Sequence, residues 1–159
     1  MRPNIRFLFA HPNHFLALGF GSGLAPFAPG TFGTLMGWLL FPFLHSKLST
    51  PEFFAILLVG LAVGSWACQR TGQALGEADP GAIVWDEILA IWLVLHFVPN
   101  SFLWQALAVG LFRFFDIVKP PPVKWADEHW KNGFGVMADD LIAAAYSLLI
   151  LLFFIPGRF

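Results

Sequence analysis

Arg113-Phe-Phe-Asp116-Ile-Val-Lys119, followed at once by Pro120-Pro121-Pro122, is the stretch on which the reading of this chain turns. It closes an apolar run that begins near Phe102. Positions i, i+3 and i+6 of a helix fall roughly along one face, so Arg113, Asp116 and Lys119 predict a charged stripe on an otherwise apolar helix. The proline triplet stops that helix just beyond the stripe. Charges on a membrane-type helix are costly, and by default they mark a functional site.

The rest of the chain is as apolar as that run. Of its 159 residues 57% are hydrophobic and only 12% charged, with a mean hydropathy of +0.69. A soluble domain of this length carries about a quarter charged residues. The composition therefore predicts a single unit over residues 1–159 that lives in a bilayer. A net charge of -1 gives no electrostatic case for nucleic-acid binding. The lone Cys68 excludes an intrachain disulfide, fits no metal-binding spacing and reads as a small buried hydrophobe. Arg2 and Arg6 resemble the start of a signal peptide, but His11, Pro12, Asn13 and His14 interrupt any apolar region behind them. The N-terminus is expected to be a retained cytoplasmic or interfacial segment.

Along the chain, residues 19–34 (GFGSGLAPFAPGTFGT) are too rich in glycine and proline for a regular helix. They predict a structured loop at the membrane surface, with Thr31 or Thr34 capping the next helix. Five apolar segments follow, at about Thr34–Leu48, Glu52–Arg70, Ile83–Val98, Phe102–Lys119 and Val136–Ile155. Gly60 and Gly64 in the second are spaced for close helix contact. Most of these runs are short against the ~20 residues a spanning helix needs. The fold expected is all-α, a compact polytopic membrane helical bundle of four to five short spans with a Gly/Pro-rich interfacial loop near the N-terminus.

Threading these segments alternately through a membrane brings the glycine-rich loop and the charged ends of the last three segments to one side. Arg2, Arg6, Arg70, Lys119, Lys124 and Lys131 fall there, against Lys47 and Arg158 on the other side, so this face is expected to be cytoplasmic. Trp66, Trp85, Trp125 and Trp130 are expected near the same interface.

Five acids meet on that face: Asp86, Glu87, Asp116, Asp139 and Asp140. Carboxylates gathered in a low dielectric need a cation to stay ionised together. Hard oxygen donors without histidine or cysteine favour Mg2+ or Mn2+. Neighbouring acids project about 100° apart on a helix, so one of each pair points at a shared ion. Glu87, Asp116 and Asp140 are the expected metal ligands, with Asp86 and Asp139 as close seconds and candidates for a general base. The competing reading is structural: Arg113 paired with Asp116, Lys119 with a loop acid, and acids at helix N-termini favoured by the dipole.

The glycine-rich loop offers backbone N–H groups ahead of a helix N-terminus, a ready anion site. It lacks a nucleotide P-loop pattern. Beside Arg113 and Lys119 it forms a candidate phosphate cradle through Gly21, Ser22, Gly30, Thr31 and Thr34. Asn132-Gly133-Phe134-Gly135 reads either as a hinge or as the turn into the last helix. His45 and His96 fall on the opposite face, and no spacing among His11, His14 and His129 supports metal ligation.

In order and spacing, GFGSGLAPFAPGTFGTL, IVWDEILAIW, FRFFDIVKPPPV and NGFGVMADDLIA resemble the phosphatidylglycerophosphatase A family, over most of residues 18–145. The resemblance implies a helical bacterial cytoplasmic-membrane enzyme, multi-pass, that dephosphorylates phosphatidylglycerophosphate to phosphatidylglycerol with Mg2+. Its partner is then a phospholipid substrate in the bilayer, and the active site faces the cytoplasm. Two positions depart from the pattern: Asn132 stands where a paired glycine usually begins, and Ala90 where a glycine follows the Asp-Glu pair. A phospholipid-headgroup transferase lacks its acid motif here. A small ion or proton transporter would spread its acids through the membrane depth, whereas these collect at one side.

Overall fold

In a computed structural model the chain is described over residues 2–155, and Arg158 of the threading argument lies outside them. The described residues form helices and connecting loops, with no strand among them. Two six-residue helices, α1 (Ile5–Ala10) and α2 (Pro12–Ala17), lead through a 3-10 stretch (Gly19–Leu24) into α3 (Pro29–His45). Then come α4 (Thr50–Leu75), α5 (Trp85–Phe97), α6 (Phe102–Val118), the short α7 (Val123–His129) and α8 (Gly133–Phe154).

Only α4, with 26 residues, and α8, with 22, are long and apolar enough to cross a membrane. At 1.5 Å per residue, 17-residue α3 and α6 reach about 26 Å and 13-residue α5 about 20 Å, short of a ~30 Å hydrocarbon core. The structure thus supports two spans of the expected four to five. WDEILAIWLVLHF is apolar all round apart from its acids, and such a helix is buried. Accordingly α5 is the central post, with α3, α4, α6 and α8 packed about it.

Several expected boundaries move. The loop 19–34 is half helical, because Pro29 at the first helical position has the fixed φ that opens a helix. The N-cap of α3 is Ala28 in the left-handed region, so Thr31 and Thr34 lie inside the helix and cap nothing. Ser49 and Glu52 form a capping box that opens α4. That helix runs past Arg70 to Leu75, where Gly76 at φ +78° ends it. Lys119 (φ +48°) is likewise left-handed and terminates α6. The charged loop 120–134 contains α7, whose Val123 and Ala126 are buried.

The small residues of α4 allow the close contact expected of them. Trp85 lies across the helix, and its indole N–H donates to Gly60 O at 3.0 Å. A side chain at Gly64 would land on that indole. Trp92 donates to Gly37 O at 2.8 Å, tying α5 to α3 in the same way. These two bonds set the rotation of α5 and hence the direction of the acids that follow Trp85.

Candidate active site

The acids arrive at one place from three helices. Asp86 and Glu87 stand in the first turn of α5, Asp116 near the end of α6, and Asp139 and Asp140 in the first half of α8. One oxygen each from Asp86, Glu87 and Asp140 lies within 4.8 Å of the others, and all three residues are at least nine-tenths buried. Asp86 Oδ1, Glu87 Oε2 and Asp140 Oδ2 are buried without a hydrogen-bond partner. Unpartnered buried polar atoms are rare because each forfeits its hydration, and three from three carboxylates at one point leave a deficit of positive charge.

Arg113 meets part of that deficit. Its guanidinium pairs with Asp116 one turn on, and Nη1 lies 3.4 Å from Glu87 Oε1. Its Nε is also buried without a partner. Asp116 neighbours Asp140, so the arginine pair sits on the rim of the acid trio. Of the expected ligands, Glu87 and Asp140 are in the trio. Asp86 takes the third place and Asp116 stands beside it, engaged by Arg113.

Lys119 and Asp139 are placed elsewhere. The left-handed turn takes Lys119 off the stripe, and its Nζ bonds Asp139 Oδ2 and Asp127 Oδ1, each at 2.9 Å. Partial burial alone would lower the pKa of this ammonium; its bonds to the two carboxylates outweigh that and raise it. Asp139 in turn accepts from the Asp140 N–H at 3.1 Å through Oδ1. Lys119 therefore ties α6 to α7 and α8 beside the trio, through an acid the sequence did not single out. Asp127 lies in a loop of mixed charge with no periodic pattern, and only the fold of α7 turns it toward Lys119.

The glycine-rich segment divides in the same manner. Gly30 is packed so closely that a Cβ there would overlap Glu87 Oε1 and fall 3.0 Å from Arg113 Nη2. As the second residue of α3, it presents one of the N–H groups a helix leaves without an internal acceptor. By contrast, Gly21 packs on Leu8, and the Ser22 hydroxyl donates to Gly19 O at 2.8 Å. The Thr34 hydroxyl is buried and donates to Gly30 O at 2.9 Å, while the Thr31 N–H donates to Ala28 O. Gly30 is thus the member of that set which the structure brings against the acids and Arg113. Asn132 caps α8, accepting from the Gly135 N–H at 2.8 Å.

An all-oxygen set with three unpartnered atoms suits a hard divalent cation such as Mg2+. A guanidinium and a helix N-terminus alongside suit a phosphoryl group. Residues 15–155 match the family model for phosphatidylglycerophosphatase A. The chain belongs to that family. It is 44% identical to a phosphatidylglycerophosphatase A of Haemophilus influenzae, over 88% of this chain and 86% of the relative. It is 38% identical to the Escherichia coli phosphatidylglycerophosphatase A, over 93% of this chain and 86% of that one. A Bacteroides thetaiotaomicron relative named as a putative phosphatidylinositol-3-phosphatase is 38% identical over 86% of this chain and 89% of its own length. No solved structure matches the chain. Membership in this family, together with the two long apolar helices, associates the protein with membranes. The relatives' names offer no support for an ion transporter.

Proposed function

We propose that this protein is a phosphoric monoester hydrolase of membrane lipids that converts phosphatidylglycerophosphate to phosphatidylglycerol and phosphate, dependent on Mg2+. The observation that carries the reading is the convergence of three unpartnered carboxylate oxygens with Arg113 and the start of α3, in a chain whose relatives are named for this activity. It is placed in the bacterial inner membrane as a multi-pass protein with the site facing the cytoplasm, which the bias of basic residues toward that face supports.

Asp86, Glu87 and Asp140 would hold the cation. When bound, it polarises the phosphoryl oxygens and lowers the pKa of a coordinated water. Arg113 and the Gly30 N–H bind the remaining phosphoryl oxygens and hold phosphorus in line for attack. The attacking water forms the new P–O bond and gives its proton to the Asp116 carboxylate, which Arg113 keeps in place. The P–O bond to the headgroup glycerol breaks, and the leaving oxygen becomes the alcohol by taking up the proton that Asp116 received, which restores the carboxylate. Lys119, held by Asp127 and Asp139, supports the α8 segment that carries Asp140.

The test is phosphate release from phosphatidylglycerophosphate in detergent micelles, with Mg2+ and with chelator. Mg2+-dependent release is expected, and none from folded protein refutes the proposal. Because one relative carries a phosphoinositide name, phosphatidylinositol 3-phosphate is the parallel substrate. Faster turnover of that lipid would reassign the substrate while keeping the chemistry.

A further inference from the structure

One cavity among the described residues plays no part in the chemistry above. It is a groove of about 490 Å³ between the Gly/Pro segment and the loop after α4, lined by Arg2, Gly23, Pro26, Glu77, Gly81 and Ala82 among others. Both of its walls run straight into the site. The first ends at Pro29, whose neighbour Gly30 closes on Glu87 and Arg113. The second, Pro80 to Ala82, leads within four residues to Asp86. The walls also touch each other, since a side chain at Gly23 would collide with Ala82 O. The groove is therefore bounded by two segments that meet each other and lead on to residues of the site.

Its lining is mixed, unlike the apolar clefts between the long helices. Arg2 has no ion-pair partner among the described residues, so it is a cation available to a ligand. Phe27, next to Pro26, and Ile5, two residues after Pro3, are 68% and 65% exposed. Acids, a mixed groove, a cation and exposed apolar side chains thus belong to neighbouring segments. A phospholipid whose terminal phosphate monoester is separated from its diacylglycerol by a glycerol and a phosphodiester carries a group to match each of them.

We propose that this groove is the headgroup subsite: it takes the glycerol and phosphodiester of the substrate, with Arg2 on the phosphodiester, while the terminal phosphate lies among the acids. The assignment rests on the lipid phosphatase reading above, and it makes the groove the determinant of headgroup choice. A guanidinium bound to a phosphodiester is a charge-assisted contact, among the stronger hydrogen bonds available.

Gly81 provides the test, because it lines the groove and a Cβ there meets nothing within 4 Å. Gly81→Phe and, separately, Arg2→Gln are assayed in the full chain on phosphatidylglycerophosphate micelles with Mg2+. Inhibition by inorganic phosphate and by the deacylated headgroup, glycerophosphoglycerol, is measured alongside. KM is expected to rise about tenfold in each variant, the weight of one such contact, with kcat nearly unchanged. Inhibition by glycerophosphoglycerol should weaken to match, while inorganic phosphate, which needs only the acid site, inhibits as before. Unchanged KM in both variants overturns the groove assignment alone. So does an equal loss of inhibition by inorganic phosphate, which would show damage to the acid site. Absence of phosphate release from the unaltered protein overturns the phosphatase reading and the groove with it.

Discussion

Gly30→Ala tests the packing of the site with a single methyl group. The added Cβ would overlap Glu87 Oε1 and approach Arg113 Nη2 and Nη1 to 3.0 and 3.1 Å. Both neighbours are ends of long side chains, so they yield by turning away rather than by moving a helix. Turning away separates Glu87 from Arg113, now 3.4 Å apart, and withdraws Glu87 from the acid trio. A hydrogen bond between charged groups contributes about 1.5–3 kcal/mol, which at 1.36 kcal/mol per decade corresponds to a fall in kcat/KM of roughly 10- to 100-fold. The scaffold should lose less, on the order of 1 kcal/mol of overpacking, or about 2–4 °C in melting temperature for a chain of this size. The assay pairs phosphate release across a Mg2+ series with thermal unfolding in the same detergent. Gly110→Ala on the exposed part of α6, where a Cβ meets nothing within 4 Å, is the control and should keep full activity. Wild-type kcat/KM in Gly30→Ala, or an equal loss in Gly110→Ala, would refute the reasoning.

Other residues separate chemistry from support. Asp140→Asn should abolish most turnover and raise the Mg2+ concentration for half-maximal rate by about tenfold or more, since losing even a group that only orients a metal ligand costs that much; an unchanged Mg2+ curve removes Asp140 from the ligand set. Lys119→Met leaves Asp139 buried without its cation and should lower stability by about 1–3 kcal/mol, more than Asp127→Asn, because Asp139 is the more buried partner, 6% exposed against 26%. Equal melting temperatures for those two variants would contradict that ranking. Since the Lys119 pKa is raised, its contribution is complete below the ordinary value of 10.5 and is lost only as pH rises through the higher folded value, so thermal unfolding of the unaltered protein should show no loss from Lys119 deprotonation until the pH passes 10.5. Asn132→Ala removes the cap of α8 and should cost about 1 kcal/mol, whereas Asn132→Gly costs a few tenths; identical melting of the two would deny the cap.

Much of the fold was legible in the chain because apolar periodicity and helix-stopping residues act locally. Pro99 and the triplet from Pro120 bound α6, and Gly76 and Asn132 lie where helices end and begin. The all-helical class follows from such signals. The number of spans does not, since burial in a neighbouring helix and burial in lipid demand the same apolar sequence. The central helix α5 is the case in point: it reads as a span and serves as the core post.

Which acids meet was a different kind of question. Sequence names Asp86, Glu87, Asp116, Asp139 and Asp140 and can say that adjacent ones diverge on a helix. It cannot give the rotation of one helix against another, which here depends on indole hydrogen bonds from α5 to α3 and α4. That rotation places Asp86 with Glu87 and Asp140, and leaves Asp116 to Arg113. The stripe of Arg113, Asp116 and Lys119 assumed a helix continuing through its last member. A left-handed residue at 119 ends it one position early and carries the lysine to Asp127 and Asp139 instead. The sequence by itself determined a membrane-associated helical protein and named the acids and the arginine that come together in it. The tertiary structure decided which acids of different helices meet, because contact between side chains depends on helix rotation and termination, and a fraction of a turn exchanges one acid for its neighbour.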